Sequence, residues 1–283
     1  MTTRVLCALF LACLALPAAA QWSTPASVAS SSSQNGGEGK LWTGKPDDAA
    51  AFAKALEKHL AANRVRVAIV ARAGRKAEDL PKGIAYTHTG FFVYSDITLA
   101  DGRVVPGYVV YNLYQGLDGD KARSYLEQDF PINMVADMAE PYLGVIIPTP
   151  DMQNKILGVI SSPRYAAMHV ERYSLLANPL NAKFQNCTEF VLDVIIAGIL
   201  GIDNYDAVKA YAATHFTPQT VRLGFFKSLL GPAFVKGVAV SDHNGPFRTA
   251  TLGTIAQFLQ EQGGLQSFYD FHVGGSVTPR PLS

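Results

Sequence analysis

The cysteine at position 187 is the residue of this chain best placed to act as a nucleophile. It follows Asn186, a favoured N-cap, and Glu189 lies three residues further on, so Asn-Cys-Thr-Glu predicts a helix that begins at Cys187. Backbone N–H groups at a helix start favour a thiolate, and they can stabilise the oxyanion formed when sulfur attacks a carbonyl carbon. The sequence therefore predicts a low-pKa thiol suited to acyl transfer.

His88 is the candidate base for this thiol. It lies in an apolar and aromatic segment, and the small residues around it leave room for another element to approach closely. In the next predicted strand Asn112 interrupts an apolar run, and its amide oxygen can accept the second ring N–H of the histidine. Tyr111, on the opposite side of that strand, is the alternative orienting residue if the register differs by one.

Other readings of these residues stay open. His215 and His243 follow Cys187, and either would supply a base in the cysteine-then-histidine order, because catalytic geometry can arise from any chain order. Cys187 can also be an inert apolar core residue, with His88 in a structural role. Metal-ligand spacings, phosphate-binding glycine loops and dinucleotide fingerprints do not occur, so the sequence predicts neither a metal nor a cofactor.

The first twenty residues have the layout of a secretory signal. Arg4 precedes an apolar run, Val5–Leu16, and small residues lead to Ala20, after which we expect cleavage. The run is shorter than the roughly 20 residues that span a bilayer, so we expect no transmembrane helix in the mature chain. A rival reading makes Cys13 a lipidated cysteine. The expected location is the periplasm or the exterior.

Removing residues 1–20 leaves Cys187 as the lone cysteine, with no partner for a disulfide in an oxidising compartment. Residues 21–44 are rich in Ser, Gly and Asn and are predicted to form a flexible leader. The formal net charge of +1 gives no basic surface for nucleic acid, so nucleic acid is not an expected partner.

Periodicity along the rest of the chain predicts an α+β domain. The predicted strands are Arg64–Ala71, Ile84–Ile97, Val104–Tyr114 and Gly144–Ile147, and the predicted helices are Asp47–Asn63, Asp151–Ile160, Cys187–Leu200, Tyr205–His215, Pro218–Leu230 and Thr251–Gln262. Asp101-Gly102 is a turn signal between the second and third strands, so these are expected to be antiparallel neighbours.

Three segments together resemble a known superfamily. Tyr86-Thr87-His88-Thr89-Gly90-Phe91, a polar residue on the next strand, and Asn186-Cys187-Thr188-Glu189-Phe190 are similar to the circularly permuted branch of the NlpC-type papain-like superfamily. That branch includes the lecithin:retinol acyltransferase group and runs histidine first and cysteine last. The chain as a whole also resembles an uncharacterised bacterial exported family of unknown function.

The resemblance implies a papain-like α+β fold, with an antiparallel sheet packed on a central helix and extra helices in the C-terminal half. It implies one such domain over residues 45–283, with Cys187 as nucleophile, His88 as base and Asn112 in the orienting position. Two departures bear on the substrate: the third position is not the histidine of many acyltransferase members, and the interval from His88 to Cys187 is long.

The function expected from these observations is an exported cysteine hydrolase or acyltransferase. It would form a thioester at Cys187 with an amide or ester, and an envelope location makes cell-envelope peptides or lipids the natural substrates. The alternative is a non-catalytic periplasmic binding or structural protein that retains the fold. The two differ in whether the thiol of Cys187 reacts in the native state or only after unfolding.

Overall fold

The computed structural model describes residues 46–222 and 239–282. The helices are α1 (Pro46–Ala62), α2 (Pro131–Ala136), α3 (Pro150–Ile160), α4 (Arg164–Ala167), α5 (Cys187–Leu200), α6 (Tyr205–His215) and α7 (Leu252–Glu261). The strands are β1 (Val67–Arg72), β2 (His88–Thr98), β3 (Val104–Leu117), β4 (Asp120–Asp129), β5 (Tyr142–Pro148), β6 (Gln219–Val221), β7 (Phe247–Thr249), β8 (Leu265–His272) and β9 (Val277–Pro279). The fold is therefore α+β.

The described strands form a seven-stranded antiparallel sheet in the order β4-β3-β2-β1-β5-β8-β9, and β6 and β7 pair separately. The predicted hairpin of β2 and β3 is present, with Thr98 opposite Val104 and Phe91 opposite Tyr111. Val, Ile, Phe and Tyr dominate its paired positions, as expected for residues that pack well on a pleated surface. The sheet is continuous from β4 to β9, and it is the frame on which the helices pack.

Alternation along the strands gives each face of the sheet its own apolar core. Val67, Ile69 and Ala71 of β1 pack with α3, α5 and α7, whereas Ala68 and Val70 pack with α1 and α2. Successive strand residues point to opposite faces, so both faces are covered. The α5 helix is buried from Cys187 to Gly198, which makes it the central helix on its face.

Several elements differ from the sequence prediction. The strands β4, β7, β8 and β9 were not predicted, and β6 occupies the start of the segment predicted as the helix Pro218–Leu230. Residues 223–230 of that segment lie outside the described residues, as do the predicted signal and leader. In the described part of the chain, no helix combines the length and apolarity needed to cross a bilayer.

Candidate functional site

Cys187 is the first residue of α5, as predicted. The side-chain oxygen of Asn186 accepts a hydrogen bond from the Glu189 backbone N–H at 2.9 Å, which caps the helix. The Glu189 side chain does not complete a capping box, because its carboxylate lies 2.6 Å from Lys209 Nζ instead. The local signal thus located the helix start, whereas the partner of Glu189 depends on how α6 packs against α5.

The thiol of Cys187 is buried, with 4% of the residue exposed. Its sulfur lies 3.8 Å from the carbonyl oxygen of Thr87 and 3.9 Å from Thr188 Oγ1. Burial raises the pKa of Cys187, and the backbone N–H groups of Thr89 and Thr188 offset this only in part. The expectation of a thiolate stabilised by the helix start is therefore wrong, because desolvation outweighs the N–H groups and the resting thiol is protonated.

His88 and Asn112 are joined by a hydrogen bond of 3.0 Å between His88 Nε2 and Asn112 Oδ1. The Asn112 amide nitrogen donates to Asp129 Oδ1 at 3.0 Å, which fixes the amide with its oxygen toward the histidine. Because an amide oxygen only accepts, Nε2 must carry the ring proton and Nδ1 must hold the lone pair. The imidazole is thereby set up as a proton acceptor at Nδ1.

Two further residues hold this histidine, and sequence reasoning missed both. The ring of Tyr114 stacks on His88 with centroids 5.0 Å apart, and its hydroxyl donates to Asp129 Oδ2 at 2.7 Å. Tyr114 was detectable, since it lies two residues after Asn112 and so shares its face of the strand. Asp129 was not, because β4 was not predicted.

Electrostatics keep the imidazole neutral. Burial, with a smaller contribution from the nearby Arg72, lowers the pKa of His88 to about 3. Burial also raises the pKa of Asp129 to about 6, against hydrogen bonds from Tyr114 and Asn133 that act in the opposite direction. At neutral pH the site therefore contains a protonated thiol, a neutral imidazole and an ionised Asp129.

The strands β2 and β3 separate next to these residues. Their paired ladder ends at Phe91 and Tyr111, and beyond it the Asn112 side chain lies against Gly90, where an added Cβ would be 2.5 Å from Asn112 Oδ1. Even-numbered residues of β2 bond to β1, as Tyr94 N does to Arg66 O, so the N–H of Thr89 faces β3. We call the gap between residues 87–90 and 112–114 the β2–β3 opening.

Cys187 and His88 approach the β2–β3 opening from opposite sides. The sulfur takes the position that β3 would occupy beside Thr89, whose hydroxyl is 3.1 Å from Thr188 Oγ1 of α5. His88 stacks on Tyr114 across the opening, on the face covered by α2. Within the described chain no hydrogen bond joins the sulfur to the imidazole. The structure thus makes them neighbours around one strand without direct bonding.

The other candidate residues lie elsewhere. His215 is exposed and stacks on Tyr211 at 4.0 Å, at the end of α6. His243 Nε2 lies 2.8 Å from the carbonyl oxygen of Leu176, so that nitrogen is already engaged. Tyr111 packs edge-on against Tyr165 with the α5-face core, away from His88. Asn112, and not Tyr111, is the residue bonded to His88.

A family model described as "Uncharacterized protein conserved in bacteria (DUF2145)" matches residues 59–259 of this chain. The matched region contains β2, β3 and the start of α5, and with them every residue of the β2–β3 opening. No curated protein and no solved structure matches the chain.

Proposed function

The chain belongs to the bacterial DUF2145 family, and from its geometry we propose that it is a cysteine hydrolase or acyltransferase that works through a thioester on Cys187. The observation that carries the proposal is the position of the Cys187 sulfur. It contacts the backbone of Thr87 and of Thr89, the two residues that flank His88 in the chain. The tautomer of His88 is fixed by its hydrogen bond to Asn112. A papain-like arrangement of the permuted NlpC type accounts for these roles.

In the proposed reaction the resting pair is neutral. Local movement at the β2–β3 opening would bring Nδ1 of His88, which lies on the other side of β2 in the resting structure, to the thiol. It then takes the thiol proton as sulfur attacks the carbonyl carbon, so the imidazole acts as a general base and no thiolate needs to exist beforehand. Asn112 holds the ring through Nε2, and the ionised Asp129 holds Asn112. The hydrogen bond to Asn112 favours the imidazolium that forms, in opposition to the burial that lowers the pKa of His88.

The oxyanion of the tetrahedral intermediate would form near the start of α5. The backbone N–H groups of Thr89 and Thr188 already point toward the sulfur and are fixed by strand and helix geometry. Donors held in place in this way need no reorganisation as charge develops, which is the main source of oxyanion stabilisation. They favour acyl chemistry, with an amide or ester as the substrate class.

The predicted signal at residues 1–20 directs the choice of substrate. If the chain is exported, peptides and lipid acyl groups of the cell envelope are the amides and esters it would meet. We therefore propose envelope peptides or lipids as substrates, acting in the periplasm or outside the cell.

A second candidate is a non-catalytic binding or structural protein, and the burial of the thiol favours it. A residue that is 4% exposed reaches a substrate only after local opening of the chain around it. On this reading Cys187 is a small apolar core residue, and the bonds of His88 serve only to satisfy a buried ring.

Acyl transfer from p-nitrophenyl acetate separates the two candidates. The native protein would be mixed with the ester and digested, and acetylated peptides would be located by mass spectrometry. We expect acetylation of Cys187, with a rate that falls about 10²–10⁴-fold in His88→Gln, as for loss of a general base. Melting curves would check that His88→Gln remains folded, and His243→Gln, whose ring also bonds a buried acceptor, is the matched control.

Either of two results would support the structural reading instead. One is a Cys187 that becomes acetylated only in denaturant. The other is a native acetylation rate that is the same in the wild type and in a folded His88→Gln protein, because a base contributes nothing there.

A further inference from the structure

Three ionisable side chains are buried together between α5 and α6. Lys209 Nζ lies 2.6 Å from Glu189 Oε1 and 2.7 and 2.8 Å from the two carboxyl oxygens of Asp193. The lysine side chain is 5% exposed and both carboxyl groups are fully buried. Two carboxylates facing one ammonium would bury a net negative charge, which is costly in an apolar interior. The cluster is therefore expected to hold an extra proton.

Glu189 is the member that holds this proton. Burial raises the pKa of Glu189 to about 8, and the neighbouring Asp193 adds to the rise while Lys209 opposes it. Its Oε2 atom has no hydrogen-bond partner in the described part of the chain. The cluster therefore contains an amine, a carboxyl electrophile and a neutral carboxylic acid in mutual contact.

The carboxyl group of Asp193 is also surrounded by donors. Its Oδ2 atom accepts from Gln185 Nε2 at 2.8 Å and from the Tyr205 hydroxyl at 3.3 Å, in addition to Lys209. The lysine nitrogen is nearly equidistant from both oxygens and so lies close to the carbon between them. Donors on a carboxyl oxygen stabilise the negative charge that develops there when a nucleophile adds to the carbon.

We propose that Lys209 and Asp193 become joined by an intramolecular isopeptide bond, with Glu189 as the proton shuttle. The ammonium first passes a proton to the Asp193 carboxylate, which gives a neutral amine and a carboxylic acid. The nitrogen then bonds to Cγ. Glu189, which already carries a proton, gives it to the departing hydroxyl, which leaves as water, and then takes a proton from the nitrogen. The products are one amide, one water and an unchanged Glu189.

The surroundings favour the amide over the ion pair. Condensation removes two charges from a dry interior, where charges are expensive, and replaces them with one neutral group. Holding the reacting groups in contact also supplies a high effective concentration. The bond would tie α6 to the helix that begins with Cys187, and it does not depend on whether that thiol is catalytic.

Peptide mapping of the full chain tests the bond. Asp193 and Lys209 lie between the trypsin sites at Lys183 and Arg222, with Lys209 as the one intervening site. We expect the denatured protein to give the peptide Phe184–Arg222, lighter than its sequence by one water and uncut after Lys209. Lys209 should also resist acylation by an N-hydroxysuccinimide ester in the unfolded chain, which distinguishes the bond from dehydration at another aspartate.

Two variants test the role of Glu189. Glu189→Gln keeps the shape but removes the shuttle, so the full-mass peptides Phe184–Lys209 and Ala210–Arg222 should replace the lighter one. Asp206→Asn changes an exposed carboxyl group of α6, the helix that carries Lys209, and should leave the bond intact. Full-mass, normally cleaved peptides from the wild type would overturn the proposal, and this result needs no variant to fold. Equal bond formation in Glu189→Gln would overturn the assigned shuttle.

Discussion

Two buried polar clusters lie within the first two turns of α5, and they handle charge differently. At the β2–β3 opening, Cys187 and His88 are both neutral, and the imidazole carries its proton on Nε2 and its lone pair on Nδ1. Behind it, Lys209 bonds to both Asp193 and Glu189, so its charge is compensated. A neutral cluster tolerates loss of a member better than a charged one, because a stranded charge costs more than a stranded dipole.

The largest expected effect on stability is in the charged cluster. Lys209→Ala leaves Asp193 and Glu189 without the lysine that holds them, whether as an ion pair or through the proposed amide, and breaking a buried pair typically costs about 3–5 kcal/mol. Urea unfolding would measure the loss. The matched control is Lys155→Ala, which removes an exposed partner of Asp151 and should cost under about 1 kcal/mol. Equal losses would show that Lys209 does not hold the two buried carboxyl groups.

The shifted pKa values of His88 and Asp129 should make the free energy of unfolding depend on pH. His88 has a folded-state pKa of about 3, below its ordinary 6.5, so its contribution is lost as pH falls from 6.5 towards 3. Asp129 has a folded-state pKa of about 6, above its ordinary 3.8, so its contribution is present below 3.8 and lost as pH rises towards 6. Between about pH 4 and 6 the two slopes oppose each other.

Removing the carboxyl group of Asp129 should therefore reveal the pH dependence of stability that is due to His88. In Asp129→Asn the free energy of unfolding should rise with pH by about 1.4 kcal/mol per pH unit over that range, the slope of one proton. The wild type should be flatter by the same amount. Urea titrations at several pH values would measure both slopes, and parallel curves for the two proteins would contradict the assigned pKa shifts.

Asn112 joins the neutral His88 to the ionised Asp129. Asn112→Leu strands the His88 Nε2–H and Asp129 Oδ1, and each unpaired buried group costs about 1–3 kcal/mol. Thermal unfolding would detect the loss. Asn154→Leu removes an exposed bond to Arg66 and should change stability by no more than about 0.5 kcal/mol. If Asn112→Leu left the thermal stability unchanged, His88 would be held by its stacking on Tyr114 alone.

The smallest expected effect concerns the helix caps. Asn186→Ala and Asn204→Ala each remove an N-cap, at a typical cost of about 1 kcal/mol. Asn186 also donates to the carbonyl of Leu175 and to Thr249 Oγ1, whereas Asn204 is exposed, so Asn186→Ala should be the more costly change. Denaturation midpoints would rank the two variants, and the reverse order would assign the Asn186 side-chain donors no role.

The parts of the site that sequence predicted are those with local signals. The start of α5 follows from Asn186 and its cap, and the β2–β3 hairpin follows from alternation and the turn at Asp101-Gly102. The strand β4 was missed because Asp120–Asp129 is an edge strand in which charged and polar residues outnumber apolar ones. Asp129, which lies in this strand, was therefore not recognised as part of the site.

The protonation of Cys187 was mispredicted for a related reason. A helix start is visible in sequence, but the burial of its first residue depends on strands almost a hundred positions away. The same applies to Glu189, whose cap-like spacing gave no sign that its carboxyl group meets Lys209. The backbone N–H groups near Cys187 do lower the pKa of its thiol, as predicted, but desolvation by distant elements raises that pKa by more.

The pH profile of Cys187 acetylation by p-nitrophenyl acetate tests the central claim most directly. A neutral thiol beside a neutral imidazole is the reactive form, so the native rate should be flat from about pH 5 to 8 and uniformly lower in a folded His88→Gln protein. A rate that climbs about tenfold per pH unit in both proteins, as for a thiolate formed without help, would contradict the pairing of Cys187 with His88.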